Sequence, residues 1–174
     1  MLLRRSKAGI QGLKESADLD PLTGLLNRRA LDERFKRHSG SPLTVVALDL
    51  DSFKAVNDAH GHAAGDEVLR VCADRLRHEC RESDLIARVG GDEFVIVLTG
   101  AADAQVARRL CARLAQALRE PIALPTAHVQ VGASIGFQTS AGGAALQGLL
   151  ASADAVSYHE KAARKAAPEA LMGN

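Results

Sequence analysis

Two short acidic stretches hold the residues best suited to chemistry. Leu48-Asp49-Leu50-Asp51 ends an apolar run, and Gly90-Gly91-Asp92-Glu93 lies between two others. An unpaired carboxylate is costly to bury, so acids at the ends of buried segments need a reason. One reason is a solvated hairpin tip with two surface acids. Another is a shared cation. If the strand ending at Asp49 lies beside the hairpin, Asp49, Asp92 and Glu93 crowd together and repel one another. A divalent ion removes that repulsion. All-oxygen donors, with the Leu50 carbonyl also available, favour Mg²⁺ over zinc, with Mn²⁺ as its substitute. Such an ion suits phosphate chemistry, where it bridges phosphate oxygens and activates a hydroxyl.

Between the two stretches, residues 53–66 read FKAVNDAHGHAAGD. Asn57 offers one acceptor and two donors, and Asp66 offers acceptors only. The Watson–Crick edge of guanine presents two donors and the O6 acceptor, so an amide with a carboxylate suits guanine better than adenine. Structural alternatives exist for both: Asn57 could close a short helix, and Asp66 could stabilise the first turn of the next. His60 and His62 stand two residues apart. That is a poor spacing for a metal pair on a helix face and suits a turn better.

The elements that must hold these residues follow from periodicity and punctuation. Residues 1–19 read as an amphipathic helical segment, weakly held, which could end a longer connecting helix from an upstream domain. Pro21 and Gly24 mark a turn, and Asn27 is placed to cap a helix running to about Arg37. TVVALDL at 44–50 is a nearly continuous apolar run, the pattern of a strand covered on both faces. A short helix follows over SFKAVNDAH, with Asp51 as its expected N-cap. A longer helix is predicted over 64–81, from the helical spacing of Val68, Leu69, Cys72 and Leu76. DLIARV and EFVIVL flank Gly90, Gly91 and Asp92, so they predict a β-hairpin. Its glycines would permit unusual backbone angles and a close approach. A helix over 103–119, a strand over 128–139 and a last helix over 152–166 complete the chain. The expected fold class is α+β: a mostly antiparallel central sheet flanked by helices.

Bulk composition bounds the reading. The chain has 174 residues, 47% of them hydrophobic, enough for one domain with a sizeable core. One Tyr and no Trp leave aliphatic residues to fill it. A net charge of +1 gives no argument for a polyanion-binding surface, so nucleic acid is not an expected partner. Cys72, Cys80 and Cys111 show no paired spacing; they read as reduced thiols of a cytoplasmic protein. No apolar run is long enough for a membrane span, and MLLRRSK is too short in apolar residues for a signal peptide.

DPLTGLLNRR, DLDSFKAVNDAHGHAAGD, RESD, RVGGDEF and ASIGF, in this order, resemble the GGDEF family of diguanylate cyclases. The similarity covers about residues 20–165, with 20–170 taken as the domain. Asn57 and Asp66 lie eight and seventeen residues beyond Asp49, the family spacing. The resemblance implies a palm-like fold shared with polymerases and nucleotidyl cyclases. It implies that two GTP molecules are joined into cyclic di-GMP, with release of two pyrophosphates. Asp49 and the Leu50 carbonyl would hold Mg²⁺. Asp92 would bind metal and help deprotonate the attacking 3′-hydroxyl, and Glu93 would be a further ligand. Asn57 and Asp66 would read guanine, with His62 in the same loop. Phe53 and Lys54 would lie near the phosphates. Each subunit would hold one GTP, so the active unit would be a homodimer. Arg81 and Asp84 match the family's RxxD inhibitory site for the product, where an Arg fork can pair with guanine O6 and N7; the bland alternative is a surface ion pair.

The chain departs from the family pattern at its last helix, ADAVSYHEKAARKAAP. Lys161 aligns with the family's phosphate-gripping Lys. Lys165 replaces an Arg, and Arg164 replaces a Gly. Lys supplies a point charge without the planar fork of Arg. This departure supports a rival reading, a non-catalytic receptor for GTP or cyclic di-GMP that signals through protein contacts. A further rival is a cyclase with a different nucleotide product.

Overall fold

The computed structural model describes residues 17–125 and 127–166, with side chains described up to Ser157. Five helices and six strands follow in order: α1 (Arg28–Phe35), β1 (Leu43–Asp51), α2 (Phe53–His60), α3 (His62–Glu79), β2 (Leu85–Arg88), β3 (Glu93–Thr99), α4 (Ala104–Arg119), β4 (Ile122–Ala123), β5 (His128–Val129), β6 (Gly132–Ser140) and α5 (Leu146–Ala166). Four strands form one sheet in the order β2-β3-β1-β6, and every pairing in it is antiparallel. The α+β expectation therefore holds.

β1 is central and covered on both sides, which explains its unbroken apolar run. Val46, Leu48 and Leu50 join Phe94, Ile96 and Leu98 in a core beneath α3 and α4. Leu43 and Val45 join Val95 and Val97 in a second core with Ala30, Leu31 and Phe35 of α1 and Leu146 and Leu149 of α5. Successive strand residues face opposite sides, so Asp49, after Val45 and Ala47, faces α1 and α5. Register makes the hairpin what the sequence predicts: Arg88 pairs with Phe94, and the turn closes by the Val89 N–H donating to the Glu93 carbonyl at 3.0 Å.

Several boundaries differ from expectation, each for a physical reason. Asn27 does cap α1, its Oδ1 accepting the Ala30 N–H at 2.9 Å. Asp51 does not cap α2. It ends β1, and its Oδ1 accepts the Ser134 hydroxyl at 2.8 Å. Ser52 takes the cap position instead, at φ 62°, without a side-chain cap bond. α5 begins at Leu146, earlier than predicted, because Leu146, Leu149 and Ala153 are buried on one helical face. The predicted strand over 128–139 splits: His128–Val129 pairs with Ile122–Ala123 in a separate ribbon, and only Gly132–Ser140 joins the main sheet. Two-residue strands carry no alternation for a sequence to reveal.

Most of the predicted segment 1–19 lies outside the described residues. Its end is tied to the body. Asp18 pairs with Arg29 at 2.7 Å, and its carbonyl accepts the Asn27 N–H at 2.9 Å. Asp20 accepts from the Thr23 N–H and hydroxyl and from Arg88.

Candidate active site

The pairing of β1 with β3 decides the site. Asp49 stands directly opposite Glu93, and on its other side opposite Ser134 of β6. Partners in register share a sheet face, so these three side chains point the same way. They line a cavity of about 460 Å³ with Arg28 of α1 and Asp154 of α5. Asp92 enters differently: its carbonyl accepts the Leu50 N–H at 3.1 Å, locking the signature turn to the end of β1. The two acidic stretches are thus neighbours.

The three predicted carboxylates do not, however, converge into one cluster. Among the described residues, no three His, Cys, Asp or Glu side chains stand close enough together to hold a metal ion. Asp49 and Glu93 share the cavity, and Asp92 is not among its lining residues. The side-chain groups there able to ligate a metal, Asp49, Glu93, Ser134, Gln147, Asp154 and Ser157, do so through oxygen, with no cysteine or histidine lining the cavity, which suits a hard divalent cation.

The glycines of the turn act by size. Neither Gly90 nor Gly91 has a positive φ, contrary to the expectation of unusual angles. A Cβ on Gly90 would stand 2.5 Å from Glu93 Oε2, so this glycine makes room for that carboxylate. The turn is braced from outside as well. Arg88 donates from Nε and Nη2 to the Gly91 carbonyl at 3.1 and 2.8 Å, and from Nη1 to both Asp20 oxygens. Burial would raise the Asp20 carboxyl, but hydrogen bonds from the Thr23 hydroxyl and N–H, with the Arg88 contact, outweigh it and hold that group below its usual range.

Two cavity residues were not singled out from sequence. Asp154 shares the cavity with Asp49; partial burial pushes its carboxyl up, and the Asp49 charge adds to that. Arg28 donates from Nε to the Val89 carbonyl at 3.2 Å and places Nη2 4.0 Å from Glu93. Only an isolated acid on a small-residue helix and an arginine at a helix start stood in the sequence as signals.

The remaining predicted residues occupy two other places. Phe53, Lys54 and Asn57 lie on α2, and His62 and Asp66 on α3, about the corner at Gly61 (φ 82°). The α2 start is unusual. Ser52 is the single non-glycine residue at positive φ among the described residues, and the first N–H groups of a helix have no partner within the helix. Such a turn can receive an anion. On the far side of the hairpin, Asp84 Oδ2 accepts the Arg81 N–H at 2.9 Å. This backbone-to-carboxylate bond, with no side-chain ion pair, is what joins Arg81 and Asp84 among the described residues. Arg81 and Asp84 line two cavities of about 420 and 510 Å³, with Arg34 and Arg77 in one and Arg109 and Arg113 in the other. Lys161 and Lys165 fall in the last turns of α5, where side chains lie outside the described residues.

The family model for "Diguanylate cyclase, GGDEF domain" matches residues 17–167. This chain belongs to the GGDEF domain family. Among curated proteins, this GGDEF domain is 38% identical over 161 residues to the diguanylate cyclase DgcP of Pseudomonas aeruginosa, covering 88% of the chain and 24% of DgcP. It is 42% identical over 130 residues to the cyclic di-GMP phosphodiesterase NbdA of the same organism, covering 71% of the chain and 16% of NbdA. The chain therefore spans less than a quarter of the length of either relative. Its fold matches the crystal structure of the diguanylate cyclase SiaD, in complex with its activator SiaC, from Pseudomonas aeruginosa. There the TM-score is 0.82 with 33% identity, over 93% of this chain and 65% of SiaD. Among the described residues of this domain, no helix is long and apolar enough to cross a membrane.

Burial pushes the thiols of Cys72 and Cys80 up to about 12. Neither is a ready nucleophile.

Proposed function

We propose that this GGDEF domain is a diguanylate cyclase, condensing two GTP molecules into cyclic di-GMP with release of two pyrophosphates. The observation that carries the proposal is the register of Asp49 against Glu93, with Asp92 bonded through its carbonyl to Leu50. It brings Asp49 and Glu93 to one cavity and ties the Asp92 backbone to the end of β1. Asp49, Leu50 through its carbonyl, Asp92 and Glu93 are the residues that would hold Mg²⁺ or Mn²⁺. The ion would supply charge neutralisation at the reacting phosphate.

The chain's own groups do the rest. Asp92 takes the proton from the attacking 3′-hydroxyl. The backbone at Phe53 and Lys54, at the α2 start, receives phosphate oxygens, and the Lys54 ammonium adds a charge. Asn57 and Asp66 read the guanine edge, with His62 beside them. Lys161 and Lys165 grip the triphosphate. Phosphoryl transfer of this kind needs positioning and charge stabilisation more than a protein nucleophile, which agrees with the inert thiols. One GTP per subunit requires two subunits face to face, so the working form is a homodimer, joined to an upstream sensory domain and located in the cytoplasm. Cyclic di-GMP binds at Arg81 and Asp84 and restrains turnover at a distance.

The test is incubation with GTP and Mg²⁺, with products resolved by chromatography across protein concentrations. Cyclic di-GMP forming with steep concentration dependence supports the proposal. Asp92→Ala should abolish it while leaving the melting curve in place. A folded wild-type protein that binds GTP but yields no product would favour the receptor reading, which the altered 161–166 stretch supports. A mixture of ATP and GTP identifies any other cyclic product.

A further inference from the structure

The corner between α2 and α3 is closed by an unusually close approach. Gly65 lies in the first turns of α3, is buried, and donates its N–H to the Gly61 carbonyl at 3.3 Å. A Cβ at this position would fall on the Asn57 Oδ1. It would also stand 2.9 Å from Asn57 Cγ and 3.2 Å from Phe53 Cζ. The Asn57 carboxamide thus occupies the volume that a side chain at 65 would fill.

The backbone does not call for glycine here. Gly65 is absent from the residues at positive φ, so any residue could adopt its helical angles. Glycine weakens a helix relative to alanine, so its presence needs another cause. The close approach supplies it. The atom nearest that missing side chain is the carboxamide oxygen, Asn57 Oδ1, so packing against Gly65 is what orients the group.

We infer that Gly65 is a specificity-determining position, holding the Asn57 carboxamide toward the guanine edge by lacking a side chain of its own. The inference rests on the reading of Asn57 as a guanine contact. Gly65 touches no reacting atom; it is a positioning residue acting through Asn57. A methyl group at 65 displaces the carboxamide and removes one neutral hydrogen bond to the base. That corresponds to about threefold to tenfold in affinity.

The experiment titrates the full chain, with Mg²⁺, against non-hydrolysable analogues of GTP and of ATP. Four proteins are compared: wild type, Gly65→Ala, Asn57→Ala, and the double variant. Gly65→Ala should bind the GTP analogue about threefold to tenfold more weakly and the ATP analogue unchanged. In the Asn57→Ala background the same change should have no further effect on base preference. A residue serving only to pack helices would weaken both nucleotides or neither. If Gly65→Ala does not fold, Asn57→Ala against the double variant decides, because truncating Asn57 removes the two nearest atoms and leaves only the edge of Phe53, at 3.2 Å. Unchanged preference in Gly65→Ala, or a further drop in the double variant, overturns the inference. A wild type with no preference for the GTP analogue removes the guanine reading and the inference together. Wild-type preference left intact by Gly65→Ala removes the inference alone.

Discussion

Asp20→Ala offers the most direct test of how the signature turn is held. Asp20 and Arg88 are 17% and 15% exposed at their side chains and lie 3.2 Å apart. Arg88 spends its other donors on the Gly91 carbonyl. Removing Asp20 takes away the acceptor of two Thr23 hydrogen bonds and leaves a mostly buried guanidinium without its counter-charge. Breaking a buried pair from one side costs about 3–5 kcal/mol, and partial solvent access brings the expectation to about 3 kcal/mol. A domain of this size loses about 2–4 °C per kcal/mol, so the melting temperature should fall by about 6–12 °C. The pH dependence has a definite sign. The Asp20 carboxyl is held below its unfolded value, so its contribution is present above the unfolded pKa of about 4 and disappears as pH falls through the folded value. The difference between wild type and variant should therefore shrink on acidification. Urea unfolding at neutral and acid pH measures both. A neutral-pH loss below about 0.5 kcal/mol, the range of an exposed pair, would refute the idea that this bridge braces the turn.

Three further outcomes are expected. Gly136→Ala should destabilise by about 3 kcal/mol, the upper end of overpacking, because the new Cβ would meet the backbone of α5 at Ala153 and Ser157; chemical denaturation checks this. Ser52→Gly should stabilise by about 0.5–1 kcal/mol, since a left-handed angle costs an L-residue about 1–2 kcal/mol and glycine's entropy returns part of that. An unchanged unfolding midpoint would mean that Ser52 is not strained. Arg81→Ala should leave the melting temperature within about 2 °C, as an exposed site allows, and abolish inhibition by added cyclic di-GMP; an unaltered inhibition curve would reduce Arg81 and Asp84 to a surface turn.

Much of this domain can be read from local pattern. The apolar run before Asp49, the glycine-marked hairpin and the Asn27 cap each depend on residues a few positions apart, and local physics suffices for them. The motif spacing from Asp49 to Asp66 is likewise local. The structure decided what depends on pairing between distant segments. That Glu93 rather than Asp92 faces Asp49 is a matter of strand register, because a shift of one residue exchanges the two faces. That Asp51 turns to Ser134 instead of capping α2 depends on β6, more than eighty residues away. Asp154 and Arg28 reach the cavity only because α5 and α1 pack on the same face of the sheet. The seat of Asn57 on Gly65 is invisible in composition, since the sequence records a missing side chain without recording what fills its place. Residue types fixed which chemistry was possible; the sheet register and helix packing decided which of those residues meet.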